Sequence, residues 1–596
     1  MAVAPRTLQA DKDEKITVKY LVEYFKPYLL AMGGLIILVW GQAYVNLTLP
    51  DYTARIVNQG IVAKDIAAVW SNGLQMLLLA LFGGVCTIAI GFVASKIATG
   101  YVRRLREAIF IKVEQFSLSE FNTFSSSSLV TRATNDMQQI QNVLSMVLRM
   151  AFLAPFMGIG SIIKAHQLAP TMSWIVLAAI GVLVSLIILL FIVAIPKFTL
   201  IQKLVDKLSL QAREMLTGVR VIRAYNNDDR QQDKFDRTNL ESTRLNIFVN
   251  RVMALMQPVM TLVMGLASVA VVWVGSYVVS AGNLEVGNLL ALIQYVSQTI
   301  MAFLMISIIF IMVPRAAVSG RRVNEVLAVE PMISDPLSPT HLPKVPRGVV
   351  EFHDVDFGYE GSEQPVLSNV SFIAEPGQTT AIIGGTGSGK STMLSLIPRL
   401  YDVSSGSVTV DGVDIRQLSQ EELRSHIGYV PQKASLFSGT VRSNIAYGRP
   451  HASEVELNQA ADTAQAREFI TSLPKSLDNP IAQAGNNVSG GQKQRLSIAR
   501  ALAKKPKIYL FDDSFSALDF KTDAALRQAL KTEIASATFI VVAQRISTIM
   551  QAEKIIVLDK GRIVGMGTHR ELLRTSVVYR EIAESQLSAS ELARKQ

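Results

Sequence analysis

Thr379-Thr380-Ala381-Ile382-Ile383-Gly384-Gly385-Thr386-Gly387-Ser388-Gly389-Lys390-Ser391 decides the reading of the C-terminal half. A β-type apolar run opens into G-x-x-x-x-G-K-S, and a predicted helix follows. The glycines let backbone N–H groups close around a β-phosphate, Lys390 is placed to reach the β- and γ-phosphates, and Ser391 to bind Mg²⁺. A glycine turn alone could arise by chance, so the flanking strand and helix carry the inference. Further on, the apolar run Ile508-Tyr509-Leu510-Phe511 ends in Asp512, a carboxylate suited to the magnesium shell of such a phosphate loop.

Around this stretch short β-rich runs alternate with helices: VVEFHDVDF, SVTV, IGYVPQ, TFIVVAQ and KIIVLDKGRIV. They predict a mixed sheet covered by helices, an α/β P-loop domain beginning near Gly348. The preceding segment 331–347 holds Pro331, Pro336, Pro339, Pro343 and Pro346, too much proline for a helix, and reads as a semi-rigid linker.

The N-terminal half is of another kind. The 596 residues are 49% apolar, the mean hydropathy is +0.31, and the apolar residues crowd into the first 315 positions. A helix needs about 20 apolar residues to cross a ~30 Å hydrocarbon core. Six stretches qualify, roughly 28–49, 73–95, 146–167, 173–196, 250–280 and 286–313, the third being marked by Arg149 and Lys164 near its ends. The loops 96–145 and 197–249 carry six and ten Lys or Arg residues, against Arg55 and Lys64 before the second span and none in 281–285. The positive-inside rule then puts both long loops and both termini in the cytoplasm. Ile109, Val113 and Phe116 recur at helical spacing, so each long loop reads as two helical limbs reaching about 35 Å from the bilayer. Such limbs could be solvated hairpins or levers touching the soluble domain.

The net charge of +10 follows this topology; no continuous basic, aromatic-interleaved face points to nucleic acid. Cys86 is the single cysteine, which excludes a disulfide framework and a thiolate metal site. The N-terminal 20 residues have no apolar signal core, and the chain is expected to begin in the cytoplasm untrimmed.

Asn487-Val488-Ser489-Gly490-Gly491-Gln492 lies between the phosphate loop and Asp512. Ser-Gly-Gly at a helix start offers a hydroxyl and backbone donors to an anionic oxygen, though it would also serve as an ordinary cap. The segment resembles the ABC transporter signature LSGGQ with Val488 in place of Leu. Other motifs fall in the same order: Tyr359 in Val355-Asp356-Phe357-Gly358-Tyr359, Gln432 in Tyr429-Val430-Pro431-Gln432, and Ser516-Ala517-Leu518-Asp519. In the membrane half, Leu49-Pro50 with Gln59-Gly60-Ile61 looks like the end of the first spanning helix of ABC exporters. Thr131-Arg132-Ala133-Thr134-Asn135-Asp136 and Gly218–Tyr225 look like pieces of the two cytoplasmic extensions.

The resemblance implies a type IV ABC exporter half: a cytoplasmic N-terminus with elbow helix (1–27), a membrane all-α domain of six helices (28–330), the linker (331–347) and an ABC nucleotide-binding domain (348–596). It implies ATP and Mg²⁺ as ligands. Tyr359 would stack on adenine, and Gly384, Gly385, Thr386, Gly387, Ser388, Gly389, Lys390, Ser391 and Thr392 would hold the phosphates. Ser391, Gln432 and Asp512 would hold the metal. Ser489, Gly490, Gly491, Gln492 and Asp519 would serve a nucleotide at an interface between two chains.

Two positions depart from the family. Where Glu usually follows the magnesium Asp, this chain has Asp513, one methylene shorter; where a histidine usually contacts the γ-phosphate, it has Gln544. Removing a general base from hydrogen-bond reach of its water costs about 10²–10⁴ in rate. Neutral drift in a working homodimer would also produce such changes. The asymmetric alternative takes Asp513, Gln544 and Gln432 as an impaired catalytic set, completed by a homologous partner half, as in the degenerate subunit of bacterial heterodimeric multidrug exporters.

None of the spans 28–49, 73–95, 174–196, 252–280 and 286–313 carries Asp, Glu, Lys, Arg or His, which argues against an ion-coupled pump. Gln294, Gln298, Met301 and Met305 share one face of the sixth span, and Gln42 and Asn46 pair in the first. Such a face suits an adaptable substrate wall and equally a helix seam. Pro258 is expected to kink the fifth span. Together with the resemblance to ABC exporters, this implies ATP-driven export of an apolar or amphipathic compound, across what the resemblance suggests is a bacterial plasma membrane. A lipid, peptide or metabolite exporter half is a second reading, and a nucleotide-gated channel or regulatory subunit a third.

Overall fold

The computed structural model describes residues 23–587 and comprises two compact units. One contains the residues up to Glu114 together with Ser126–Val329; the other contains Gln115–Ser125 together with the residues from Glu330 onward. Most of the expected N-terminal segment and elbow helix, 1–27, lies outside the described residues.

In the first unit the six expected spans are helices: α1 (Leu29–Arg55), α2 (Ile66–Glu114), the pair α3 (Met137–Met150) and α4 (Leu153–Leu168), α5 (Ser173–Thr217), α6 (Asp228–Ser280) and α7 (Val286–Leu327). Six helical stretches among the described residues are long and apolar enough to cross a bilayer. At 1.5 Å per residue, the 49 residues of α2 are about 74 Å long, more than twice a ~30 Å hydrocarbon core. The limbs of the long loops are thus continuations of the spanning helices. The break between α3 and α4 falls at Ala151 and Phe152. Pro155, four residues after Ala151, can neither donate to that carbonyl nor pack against it without a clash.

α1 runs through Pro50 to Arg55 and continues as a π-helical turn, Ile56–Val62, so that Gln59-Gly60-Ile61 closes the first spanning stretch. Pro50 deprives the Asn46 carbonyl of its helical donor, and the Gln298 side-chain amide of α7 supplies the bond instead, at 2.8 Å. Pro258 lies inside α6, which continues through it to Ser280.

The Gln298 bond belongs to a seam along α1. The Tyr295 hydroxyl lies 2.6 Å from Asp51 Oδ1 and 2.8 Å from the Leu47 carbonyl. Lys164 of α4 pairs with Asp51 Oδ2 at 2.6 Å, and Ser161 bonds Thr299 at 2.7 Å. On the other side of α1, Gln42 donates to Thr87 of α2 at 3.0 Å. Leu47 lies so close to Gly160 that an added Cβ there would sit 2.3 Å from its Cδ1. Gln42 and Gln298, two members of the suspected substrate wall, therefore spend their amides on neighbouring helices.

The second unit carries two sheets. An antiparallel one has the order β2 (Leu367–Ala374), β1 (Val350–Phe357), β4 (Ser405–Val410), β5 (Val413–Asp414). The other has the order β12 (Arg562–Gly567), β11 (Lys554–Asp559), β3 (Thr379–Gly384), β10 (Thr538–Val542), β9 (Ile508–Asp512), β6 (Ile427–Val430). All but the edge strand β12 run parallel. Successive residues enter opposite cores: Ala381, Phe511 and Val541 one, Ile382, Leu510 and Ile540 the other. Burial on both faces explains the unbroken apolar runs in the sequence. A small pair, β7 (Gly439–Thr440) with β8 (Pro480–Ile481), completes the strands.

The segment 331–347 is strapped to this unit. Met332 N–H donates to Glu120, Thr340 N–H to the Gln417 carbonyl, Leu342 N–H to Glu422, and Arg347, Gly348 and Val349 N–H to Asp411.

Candidate functional site

The carboxyl ends of β3, β10 and β9 lie side by side, because Val542 pairs with Ile382 on one side and with Asp512 on the other. This single edge receives the phosphate loop after β3, Asp512 and Asp513 after β9, and Gln544 after β10. Gln432 joins from β6, whose Val430 is level with Phe511. In parallel α/β sheets this edge is where ligands bind.

The loop leaves β3 at Gly384, where a Cβ would meet the Leu558 carbonyl at 2.0 Å. It enters helix α8 (Lys390–Leu396) through Gly389 at φ +99°, a left-handed conformation that favours glycine. Lys390 Nζ donates to the carbonyls of Gly384 and Gly385 at 3.0 and 2.6 Å. Ser391 Oγ donates to Asp512 Oδ1 at 2.9 Å. The Asp513 carboxylate, which is buried, accepts on one oxygen, Oδ2, from the amides of Gln544 at 2.8 Å and Gln432 at 3.3 Å. Asp513 itself sits at φ +45°, a region that aspartate tolerates better than most residues.

Burial pushes the Asp512 carboxyl up, aided by the neighbouring Asp513 and opposed by Ser391 and Lys390. Burial also pulls the Lys390 ammonium down, against the attraction of Asp513 and Asp512. Both shifts express charges partly withdrawn from water around one point. Ser391 and Asp512 offer the small set of oxygen donors that suits Mg²⁺ bound jointly with phosphate. Among the described residues no cluster of three or more His, Cys, Asp or Glu forms a protein-only metal cage.

At the flank of α8 the Tyr359 hydroxyl bonds Thr392 at 2.9 Å, and its ring meets Phe357 and Tyr401 edge-on at 5.0 and 5.3 Å. Ser489 is elsewhere, capping helix α9 (Gly490–Ala503). It forms a capping box with Gln492, and no hydrogen bond of the described residues joins these two to the Lys390, Asp512 and Asp513 cluster. Asp519 caps α10 (Phe520–Glu533) through Thr522 N–H.

Tyr401 and Gln586 are absent from the sequence-derived set. Gln586, in α11 (Val577–Gln586), donates to the Gln544 carbonyl and accepts from Ile546 N–H, both at 2.8 Å, and so braces the turn that carries Gln544. Nothing local in the sequence signals this, since 42 positions separate the pair.

A helical membrane unit with a phosphate-loop sheet domain defines a membrane protein that uses nucleotide. Residues 32–303 match the ABC transporter transmembrane region and residues 367–516 the ABC transporter family. An uncharacterized ABC transporter ATP-binding protein of Mycobacterium tuberculosis is 39% identical over 96% of this chain and 98% of its own length. YfiB of Bacillus subtilis, likewise an uncharacterized ABC transporter ATP-binding protein, is 37% identical over 95% and 98%. A mitochondrial potassium channel ATP-binding subunit of Xenopus tropicalis is 31% identical over 95% and 83%. The structure of a bacterial Atm1-family ABC exporter with ATP bound aligns at a TM-score of 0.78 with 25% identity, covering 94% of this chain and 99% of that one. The chain belongs to the ABC transporter family. Its fold is that of a type IV exporter half, six membrane-spanning helices followed by a nucleotide-binding domain that couples ATP hydrolysis to transport.

Proposed function

We propose that the chain is the weakly hydrolysing half of a heterodimeric exporter that moves apolar or amphipathic compounds, of the multidrug type, out of a bacterial cytoplasm. The observation that carries this reading is the pair of amides on Asp513 Oδ2. A general base must offer a free lone pair to the attacking water. Here one of the two oxygens of the shortened carboxylate is engaged by two neutral donors, and the imidazole usual in the family is replaced by one of them.

In this reading Tyr359 stacks on adenine, residues Gly384 to Thr392 hold the phosphates, and Ser391, Gln432 and Asp512 hold the metal. Bound Mg²⁺ neutralises charge on the β- and γ-phosphate oxygens. Ser489, Gly490, Gly491, Gln492 and Asp519 act across the interface, on nucleotide held by the partner's phosphate loop. The partner's catalytic residues then work with a sound signature supplied by this chain. ATP draws the two nucleotide domains together, and the cytoplasmic limbs carry that closure to helices 28–330. Both termini lie in the cytoplasm, as the cation-rich loops support.

The test is turnover. The purified chain alone, self-paired, should release phosphate slowly, and adding a homologous half bearing Glu and His at the two positions should restore it. Brisk turnover of the chain alone sinks the assignment. A channel or regulatory role is favoured by one observation, the similarity to the mitochondrial potassium channel ATP-binding subunit of Xenopus tropicalis. Vesicles decide between the two: accumulation of a fluorescent cationic dye against its gradient with Mg-ATP supports the pump, and dissipation of a gradient supports the channel. A lipid, peptide or metabolite cargo would leave the dye unmoved while ATP turnover persists.

A further inference from the structure

Residues Gln115–Ser125 lie in sequence between two limbs of the membrane unit yet pack with the nucleotide unit. Their core is the tip helix Leu118–Thr123, capped by Ser117 with Glu120 closing the box. A capping-box glutamate is normally exposed; Glu120 is 6% exposed, and its second oxygen explains why. Oε2 accepts from the N–H of Ser117 at 2.6 Å and from its hydroxyl, while Oε1 accepts from Met332 N–H at 2.8 Å. Burial raises this carboxyl, and the bonds from Ser117 and Met332 outweigh it and hold it below its ordinary range.

Met332 lies five positions beyond Leu327, where α7 ends. One carboxylate therefore fastens the tip of the first cytoplasmic hairpin to the start of the linker that follows the last spanning helix. The same tip meets the aromatic edge of the proposed adenine site: Ser119 Oγ lies 3.4 Å from Glu360 and Asn122 Nδ2 3.4 Å from the Tyr401 hydroxyl. Tip, linker, Tyr359 and Tyr401 line one cavity of about 680 Å³. Two residues on from Met332, the Ser334 carbonyl accepts from Arg399, whose guanidinium also grips Asp402.

We propose that Glu120 is the positioning residue that makes hairpin tip, linker and adenine-side edge move as one piece, so that nucleotide-driven movement reaches the membrane helices through α2 and α7 together. The inference rests on the exporter reading. Removing one partner of a buried charged bond frees its donors, and the Met332 amide should then open far more often.

The experiment is hydrogen exchange on the full-length chain, assembled in lipid nanodiscs with a homologous half bearing Glu and His at the two catalytic positions, with and without Mg-ATP, comparing wild type with Glu120→Ala and Glu120→Gln. The glutamine keeps the shape but turns an amide donor toward Ser117 or Met332, and it carries the test if the alanine variant does not fold. In both variants the peptide containing Met332 should exchange about tenfold or more faster. Nucleotide affinity, read with a fluorescent ATP analogue, should stay within about twofold because Glu120 does not touch the phosphate loop. The change that Mg-ATP induces at 281–285 in wild type should disappear. A variant whose Met332 peptide exchanges as in wild type, or whose 281–285 peptide still responds to Mg-ATP, overturns the role of Glu120. A wild-type chain whose 281–285 peptide ignores Mg-ATP overturns the transport reading as well, and the two failures are thereby told apart.

Discussion

Gln544 donates its side-chain amide to Asp513 at 2.8 Å, joining the two positions on which the proposed asymmetry of the ATP sites rests. The two side chains thus form one local arrangement, which the proposed function reads as a substituted catalytic pair. Replacing both, Asp513→Glu with Gln544→His, should raise phosphate release by the self-paired chain by up to about 10². Either single change should give less than the pair, a non-additivity expected of groups in contact. Asp513→Ala should leave most of the turnover of the complete heterodimer intact. Malachite-green phosphate assays read all three.

Asp512 provides a pH test. Its carboxyl is raised by burial and by Asp513, so without metal the folded state holds a proton on it more readily than the unfolded state does. This group's contribution to stability is then most favourable at low pH and falls as pH rises through the unfolded and then the folded value. Mg²⁺ requires the ionised form and reverses the sign. The rise in Tm caused by Mg-ATP should therefore shrink as pH falls below the raised Asp512 value, and Asp512→Asn should abolish most of that dependence. Differential scanning fluorimetry across the acid range would measure it; a Mg-ATP shift with the same pH dependence in wild type and Asp512→Asn would contradict the assignment.

Gln298 separates substrate wall from helix seam. Its amide satisfies the Asn46 carbonyl that Pro50 leaves without a helical donor. Gln298→Ala should cost about 1–2 kcal/mol of membrane-domain stability, seen as a lower Tm in detergent, with the order of preferred transport substrates retained. A reordered substrate profile at unchanged Tm would restore the wall.

The Asp51–Lys164 pair invites a double-mutant cycle. The Lys164 side chain is 37% exposed and that of Asp51 23%, so solvent screens the pair in part. Asp51→Asn and Lys164→Met should each destabilise by about 1–3 kcal/mol, with the double variant costing less than their sum by about 1 kcal/mol. Strict additivity in urea or thermal unfolding would show that the two side chains do not interact.

Much of the fold was legible because the physics behind it is local. An apolar run long enough for a bilayer is a helix wherever it occurs, since lipid offers the backbone no other partner. A strand ending in Gly384 and turning through Gly387 and Gly389 needs backbone angles that few other residues adopt, so phosphate loop and helix could be read off in one pass. Asp512 and Ser391 were named from pattern alone, and the fold sets them 2.9 Å apart. What chain-local reasoning cannot supply at Pro50 is the replacement for its missing N–H, the Gln298 amide from another helix.

What the sequence by itself determined is the inventory: six spans, a phosphate loop and a signature helix, with Asp513 and Gln544 beside them. What only the tertiary structure decided is how those parts are joined. Gln544 engages Asp513 across 31 positions, Met332 meets Glu120 across 212, and Gln298 reaches Asn46 across 252. Contacts at such separations form when the whole chain closes, because the entropy of bringing distant segments together is offset only by the packing of the complete domain.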